Sequence, residues 1–116
     1  MHIPGYTEAA MRSMRARALR QALEYGTGEF SEMTGIPYGS ITQWGFPDKG
    51  SLTAMSCQRI IAALADRGIP VDMNYLAAGE YSGLKVGLAD RIKAILGTGI
   101  KLSDKQALDI VCRMPL

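Results

Sequence analysis

Between Thr27 and Phe46 the chain reads TGEFSEMTGIPYGSITQWGF, and few arrangements satisfy that string. Phe30, Met33 and Thr34 fall on one side of a first short helix, and Ser31 gives that side a small contact point. Gly35 stops the helix where a tight turn needs positive φ, which glycine adopts without a steric penalty. Ile36 then plugs the corner. Pro37 opens the next helix, where its missing N–H costs nothing. Ile41 and Trp44 are three apart, so they share one face and point back toward Phe30. Tyr38, Gly39, Thr42 and Gln43 are left looking outward.

Two packed helices, the second with a polar outer face, have the geometry of a helix-turn-helix. The pattern Phe30-Ser31, Gly35-Ile36, Ile41 and Trp44 resembles that of the lambda-repressor-like (Cro/CI, XRE) helix-turn-helix regulators, from roughly Met11 to Glu80. The resemblance implies an all-α chain with a five-helix DNA-binding domain over residues 1–80, to which the residues themselves add a two-helix C-terminal extension over 81–116. It implies a sequence-specific, repressor-like transcriptional regulator of bacterial or phage origin, a homodimer on a two-fold operator. The recognition helix, about residues 37–44, would enter the major groove of double-stranded DNA. Base contacts carried over from the family's positions fall on Tyr38, Gly39, Thr42 and Gln43. Gln43 has the donor and acceptor that read adenine bidentately, and Thr42 has a hydroxyl and a methyl for either kind of base edge. Phosphate contacts fall on Thr27, Gly28, Ser40, Lys49 and one or more of Arg12, Arg15 and Arg17. Gly28 departs from the family, where a glutamine commonly opens the second helix. Gly39 departs too, since glycine inside a helix costs roughly 1 kcal/mol against alanine.

Charge argues in the other direction. The formal net charge is +2, yet residues 26–80 carry three basic side chains against six acids. The basic excess lies in residues 1–25 and 81–116. Phosphate contacts supply much of the affinity of DNA-binding proteins, so an acidic centre keeps a second reading open. In it, the same fold serves as a protein–protein interaction module, an antirepressor or complex subunit, without specific DNA binding.

Catalysis is poorly provided for, and the expectation is a binding protein and not an enzyme. The single histidine, His2, stands near the N-terminus, and neither GxxxxGK[ST] nor GxGxxG occurs. Cys57 and Cys112 form no CxxC, so neither metal nor cofactor is expected, and both are read as buried thiols on apolar helix faces. At 47% hydrophobic the chain has enough for a core. It has no apolar run of the roughly 20 residues that cross a membrane and no signal-peptide pattern, so a cytoplasmic location is expected.

Helix signals flank the central stretch. Met1 to Gly5 reads as a loose arm, and Thr7 as an N-cap. Met11, Met14, Ala18 and Ala22 make a stripe; Arg20 and Glu24 are spaced to pair on the surface, and Gly26 is read as the end of that helix. Pro47 to Gly50 reads as a turn. A helix from Leu52 to about Arg67, capped by Ser51 or Thr53, carries Cys57, Ile60, Ile61, Leu64 and Ala65 on one face. Gly68-Ile69-Pro70 stops it, and Asp72 caps a short helix, Met73 to Ala78, that Gly79 closes. Beyond Tyr81, Leu88, Ile92, Ile95 and Leu96 form one stripe, and Leu108 and Val111 another behind a capping box at Ser103-Asp104-Lys105-Gln106. These six apolar side chains are assigned to dimerisation, with docking on the same chain or on a partner protein as the alternatives.

Overall fold

Thr7 starts the first helix, α1 (Glu8–Ala22), by accepting the Ala10 N–H on its hydroxyl at 3.1 Å. The computed structural model describes residues 7–46, 52–97 and 102–114, so the Met1–Gly5 arm, His2, the 47–50 turn with Lys49, and Ser51 lie outside the described residues. Within them the chain is all-α: α1 is followed by α2 (Thr27–Thr34), α3 (Tyr38–Thr42), α4 (Ala54–Ala65), α5 (Met73–Ala78), α6 (Val86–Gly97) and α7 (Asp104–Cys112). None of these helices is long and apolar enough to cross a membrane.

Local chemistry sets most of the boundaries. Thr53 caps α4 and Asp72 caps α5 through side-chain oxygens, each satisfying a backbone donor that the first helical turn leaves unpaired. At the end of α4 the Ile69 N–H reaches back to the Leu64 carbonyl at 2.9 Å across Gly68, whose φ is +75°. Ser103 and Gln106 bond reciprocally at the start of α7. The end of α1 differs from expectation. The helix stops at Ala22, Glu24 takes the left-handed turn at φ +63°, and Gly26 is instead the N-cap of α2.

Packing is organised by α1, which is buried on nearly every side: Ala10, Met11, Ser13, Met14, Ala16, Ala18, Leu19 and Gln21 are all inside. It touches α5, α6 and α7, while α2 rests on α3 and α4. Small side chains let neighbours approach α1 from several directions, which is why a helix with a weak apolar stripe sits at the centre. One core runs from Ala16 through Phe30, Trp44, Ile60, Tyr75 and Ile92 to Val111. The stripe assigned to dimerisation is therefore covered by the chain itself. Leu88, Ile92, Ile95 and Val111 are buried, Leu96 is partly buried against the same core, and only Leu108 is exposed. Of the cysteines, Cys57 is buried and Cys112 is exposed, which corrects the reading of both as buried thiols.

Arg20 is also placed differently from expectation. It does not pair with Glu24 on the surface. The residue is 4% exposed, its guanidinium donating to the Tyr25 carbonyl at 2.7 Å and to Asp104 Oδ1 at 3.1 Å. Partial burial pushes the Asp104 carboxyl up, but hydrogen bonds from Gln21 and Arg20, with the charges of Arg20 and Arg17, outweigh it and hold the group below its ordinary 3.8. A carboxyl with a depressed folded-state pKa contributes stability above its unfolded value and loses that contribution as pH falls through the folded one. Asp104→Asn is thus expected to lower stability at neutral pH and to flatten the loss of stability as pH drops below 3.8. Chemical denaturation across that range checks it, and an unchanged slope would remove Asp104 from the acid response.

Candidate nucleic-acid interface

The turn between α2 and α3 is fixed by hydrogen bonds that the sequence makes locally. Gly35 ends α2 at φ +77° and donates to the Ser31 carbonyl at 2.9 Å. Ser31 Oγ donates to the Ile36 carbonyl at 2.6 Å. Thr34 Oγ1 donates to the Phe30 carbonyl at 2.7 Å and accepts the Ile36 N–H at 3.2 Å. Two side chains and one glycine thereby set the chain's direction from one helix into the next. Pro37 caps α3, and its carbonyl accepts from Ser40 and Ile41.

Beneath this turn the apolar residues meet as their spacing predicts. Phe30, Ile36, Ile41 and Trp44 are buried, and the Phe30 and Trp44 rings meet edge to face with centroids 6.1 Å apart, a favoured aromatic geometry. Tyr25 adds a third ring at 6.2 Å from Phe30. Gly45 is constrained by close approach: a Cβ there would lie 3.2 Å from Arg17 Nε, so the turn after α3 abuts the arginine.

On the outer side, Tyr38, Gly39, Ser40, Thr42 and Gln43 are all exposed. The helix they stand on is short, Tyr38–Thr42, with Gln43 as its C-cap. Thr42 Oγ1 already donates to the Gly39 carbonyl at 2.8 Å, which leaves its lone pairs and its methyl for a ligand. Tyr38 is 59% exposed, with its ring edge over the first turn of α2, where a Cβ on Gly28 would make ordinary contact at 3.9 Å. Nothing lies within 4 Å of a Cβ built on Gly39, so a flat object can approach the backbone there. Thr27 is half-buried and Gly28 exposed at the start of α2.

The arginines expected to hold phosphates are engaged inside the molecule. Arg12 Nε donates to the Leu52 carbonyl at 3.1 Å. Arg15 donates to the Leu76 and Ala77 carbonyls at 3.1 and 3.0 Å, near the end of α5. Arg17 bonds the Leu102 carbonyl ahead of α7. All three are half-buried. Each acts as a C-terminal cap or a strap on a neighbouring segment. The sequence signal missed here is the spread of arginines around α1: Arg15 and Arg17, two apart, point to nearly opposite sides of the helix, so no single solvated face can hold both. Among the described residues neither α2 nor α3 carries a cation, and Glu29 and Glu32 of α2 are exposed. Lys49 lies outside the described residues. They also contain no cluster of three histidine, cysteine or acidic side chains suited to a metal ion.

Comparison of the chain with known protein families, with curated proteins and with solved structures finds no match.

Proposed function

We propose that the first five helices form a helix-turn-helix domain of the lambda-repressor-like kind, and that the protein is a sequence-specific double-stranded-DNA-binding transcriptional regulator. The observation that carries this reading is the division of α3: Ile41 and Trp44 are locked into the core while Tyr38, Ser40, Thr42 and Gln43 stand free on the outer side. An uncharged surface of hydrogen-bonding groups on a rigid support is what base-edge reading requires. Few side chains reach the groove from one copy. Useful affinity then needs a second half-site, and a homodimer on a two-fold operator supplies it. Leu88, Ile92, Ile95 and Val111 are buried within one chain, so pairing uses other surface.

Gln43→Ala is expected to cost about 1–3 kcal/mol on the preferred site, selected from randomised duplexes, and to leave non-specific binding nearly unchanged. Equal loss on both would remove Gln43 as a reader. Because Arg12, Arg15 and Arg17 are half-buried and bonded to backbone carbonyls, the fall of log K with log salt is expected to match only about two to four released counterions. A slope near ten would place basic residues beyond α1–α5 on the DNA.

The exposed Glu29 and Glu32, beside a helix without cations, favour a second reading in which the same face binds a protein. No binding to any duplex at low salt would decide for it.

A further inference from the structure

With Leu88, Ile92 and Ile95 turned into the core, the opposite side of α6 is left uncovered. Val86, Asp90, Lys93 and Gly97 are all exposed there. Their spacing of four, three and four residues keeps them on one stripe about 60° wide. Val86, at 79%, is the most exposed large apolar side chain among the described residues. Beside it lies a groove of about 290 Å³, lined by Tyr81, Leu84, Val86 and Ala89 together with Asp90 and Lys93.

The charges on this stripe are not used within the chain. Neither Asp90 nor Lys93 forms an ion pair with a described residue. The Lys93 ammonium lies 4.8 Å from the centre of the Tyr81 ring, a contact that favours this one position for it. On α7, by contrast, the exposed Asp109 is already paired with Arg113 at 3.5 Å.

The order of residues along the stripe selects its occupant. When a two-fold axis relates two antiparallel helices, positions equally far on either side of the axis meet each other. An axis midway between Asp90 and Lys93 sets Asp90 of each copy against Lys93 of the other. The same axis sets Val86 against Gly97 and Ala89 against Ala94. Every charge then meets its opposite, and Val86, the one large apolar side chain of the set, meets a glycine. Ala89 is buried, Ala94 is half-buried, and a Cβ built on Gly97 has nothing within 4 Å, so the two helix axes can approach closely. A face that complements itself in both charge and size fits a second copy better than an unrelated protein.

We propose that two copies of this chain associate through an antiparallel contact of α6 with α6, with reciprocal Asp90–Lys93 ion pairs on either side of the axis. The proposal deepens the homodimer reading above and rests on it for its use in DNA recognition. It is tested without DNA, so that failure of the contact and failure of that reading are separate results. One helix laid on one helix is a small interface, and the Kd is expected at the weak end, roughly 10–100 µM.

Sedimentation equilibrium of the full chain reads the association. Asp90→Lys and Lys93→Asp, both at exposed positions, each set like charges against each other across the axis and are expected to weaken self-association by about tenfold. An equimolar mixture of the two variants brings opposite charges together at both contacts and is expected to form a mixed dimer of wild-type affinity. The double variant Asp90→Lys/Lys93→Asp is expected to pair with itself equally well. Arg59→Glu, on the exposed side of α4, controls for net charge and is expected to leave association unchanged. A wild-type chain still monomeric at about 1 mM, single variants that associate as the wild type does, equal weakening by Arg59→Glu, or a mixture no tighter than either variant alone overturns the proposal.

Discussion

Ile92→Asp is expected to unfold the protein. Ile92 is 0% exposed, in the core that α6 shares with α1. A carboxylate there is taken out of water among apolar side chains, and a buried charge of that kind is among the few changes that cost more than about 4–5 kcal/mol. Whole domains are stable by only about 5–15 kcal/mol, so a single such change is enough. Far-UV circular dichroism and amide dispersion at neutral pH read the result. Val86→Asp serves as the control, because Val86 stands on the same helix at 79% exposure; it is expected to shift stability by no more than about 0.5 kcal/mol. If Ile92→Asp stays folded and turns a dimer into a monomer, the stripe lies between two copies after all. Deleting residues 81–116 is expected to act in the same direction, since it strips α6 and α7 from α1 and uncovers Ala18, which lies beside Ile95 and Leu96.

Trp44→Ala is expected to be the other severe change, and its effect is local as well as global. The indole is 2% exposed and braces α3 against Phe30. Removing it leaves a cavity in a site that cannot collapse, because Gly45 and Phe30 are both held in place; comparable truncations cost about 3–5 kcal/mol. For a domain of this size that corresponds to a fall in Tm of roughly 10–20 °C. A helix of five residues has almost no intrinsic stability, so α3 depends on Trp44 and Ile41 for its position. Duplex binding is expected to disappear in Trp44→Ala at temperatures where the remaining helices are still folded. Thermal melts beside binding titrations separate the two effects, and retained specific binding would show that α3 does not read the DNA.

The parts of this fold that were legible in the sequence are those whose causes are local. Gly35, Gly68 and Gly79 announce left-handed turns, and Thr7, Asp72 and Ser103 announce helix starts, because each acts on backbone within a few residues of itself. The inward positions of Phe30, Ile36, Ile41 and Trp44 follow from spacing alone. What periodicity cannot convey is which surface covers an apolar stripe. Leu88, Ile92 and Ile95 announce a buried face equally well whether α1 or a second copy lies against it. The arginines mislead for a related reason. Their average preference is for solvent, and the carbonyls that claim Arg12, Arg15 and Arg17 lie 40, 61 and 85 residues away along the chain. The outer face of α3 was legible as a candidate site, but the loss of its expected phosphate-binding neighbours was not.

Those long separations also govern how the chain is made. The helix at the centre of the core leaves the ribosome before the other described helices, while the carbonyl that Arg17 bonds and the helices α6 and α7 that pack on it follow after the rest. During synthesis α1 has to wait, apolar and unsheltered, for partners not yet translated, and closing such distant contacts slows folding. Nascent chains of this protein are therefore open to proteases and chaperones until α7 has emerged. A pause in translation anywhere between α1 and α7 lengthens that exposure.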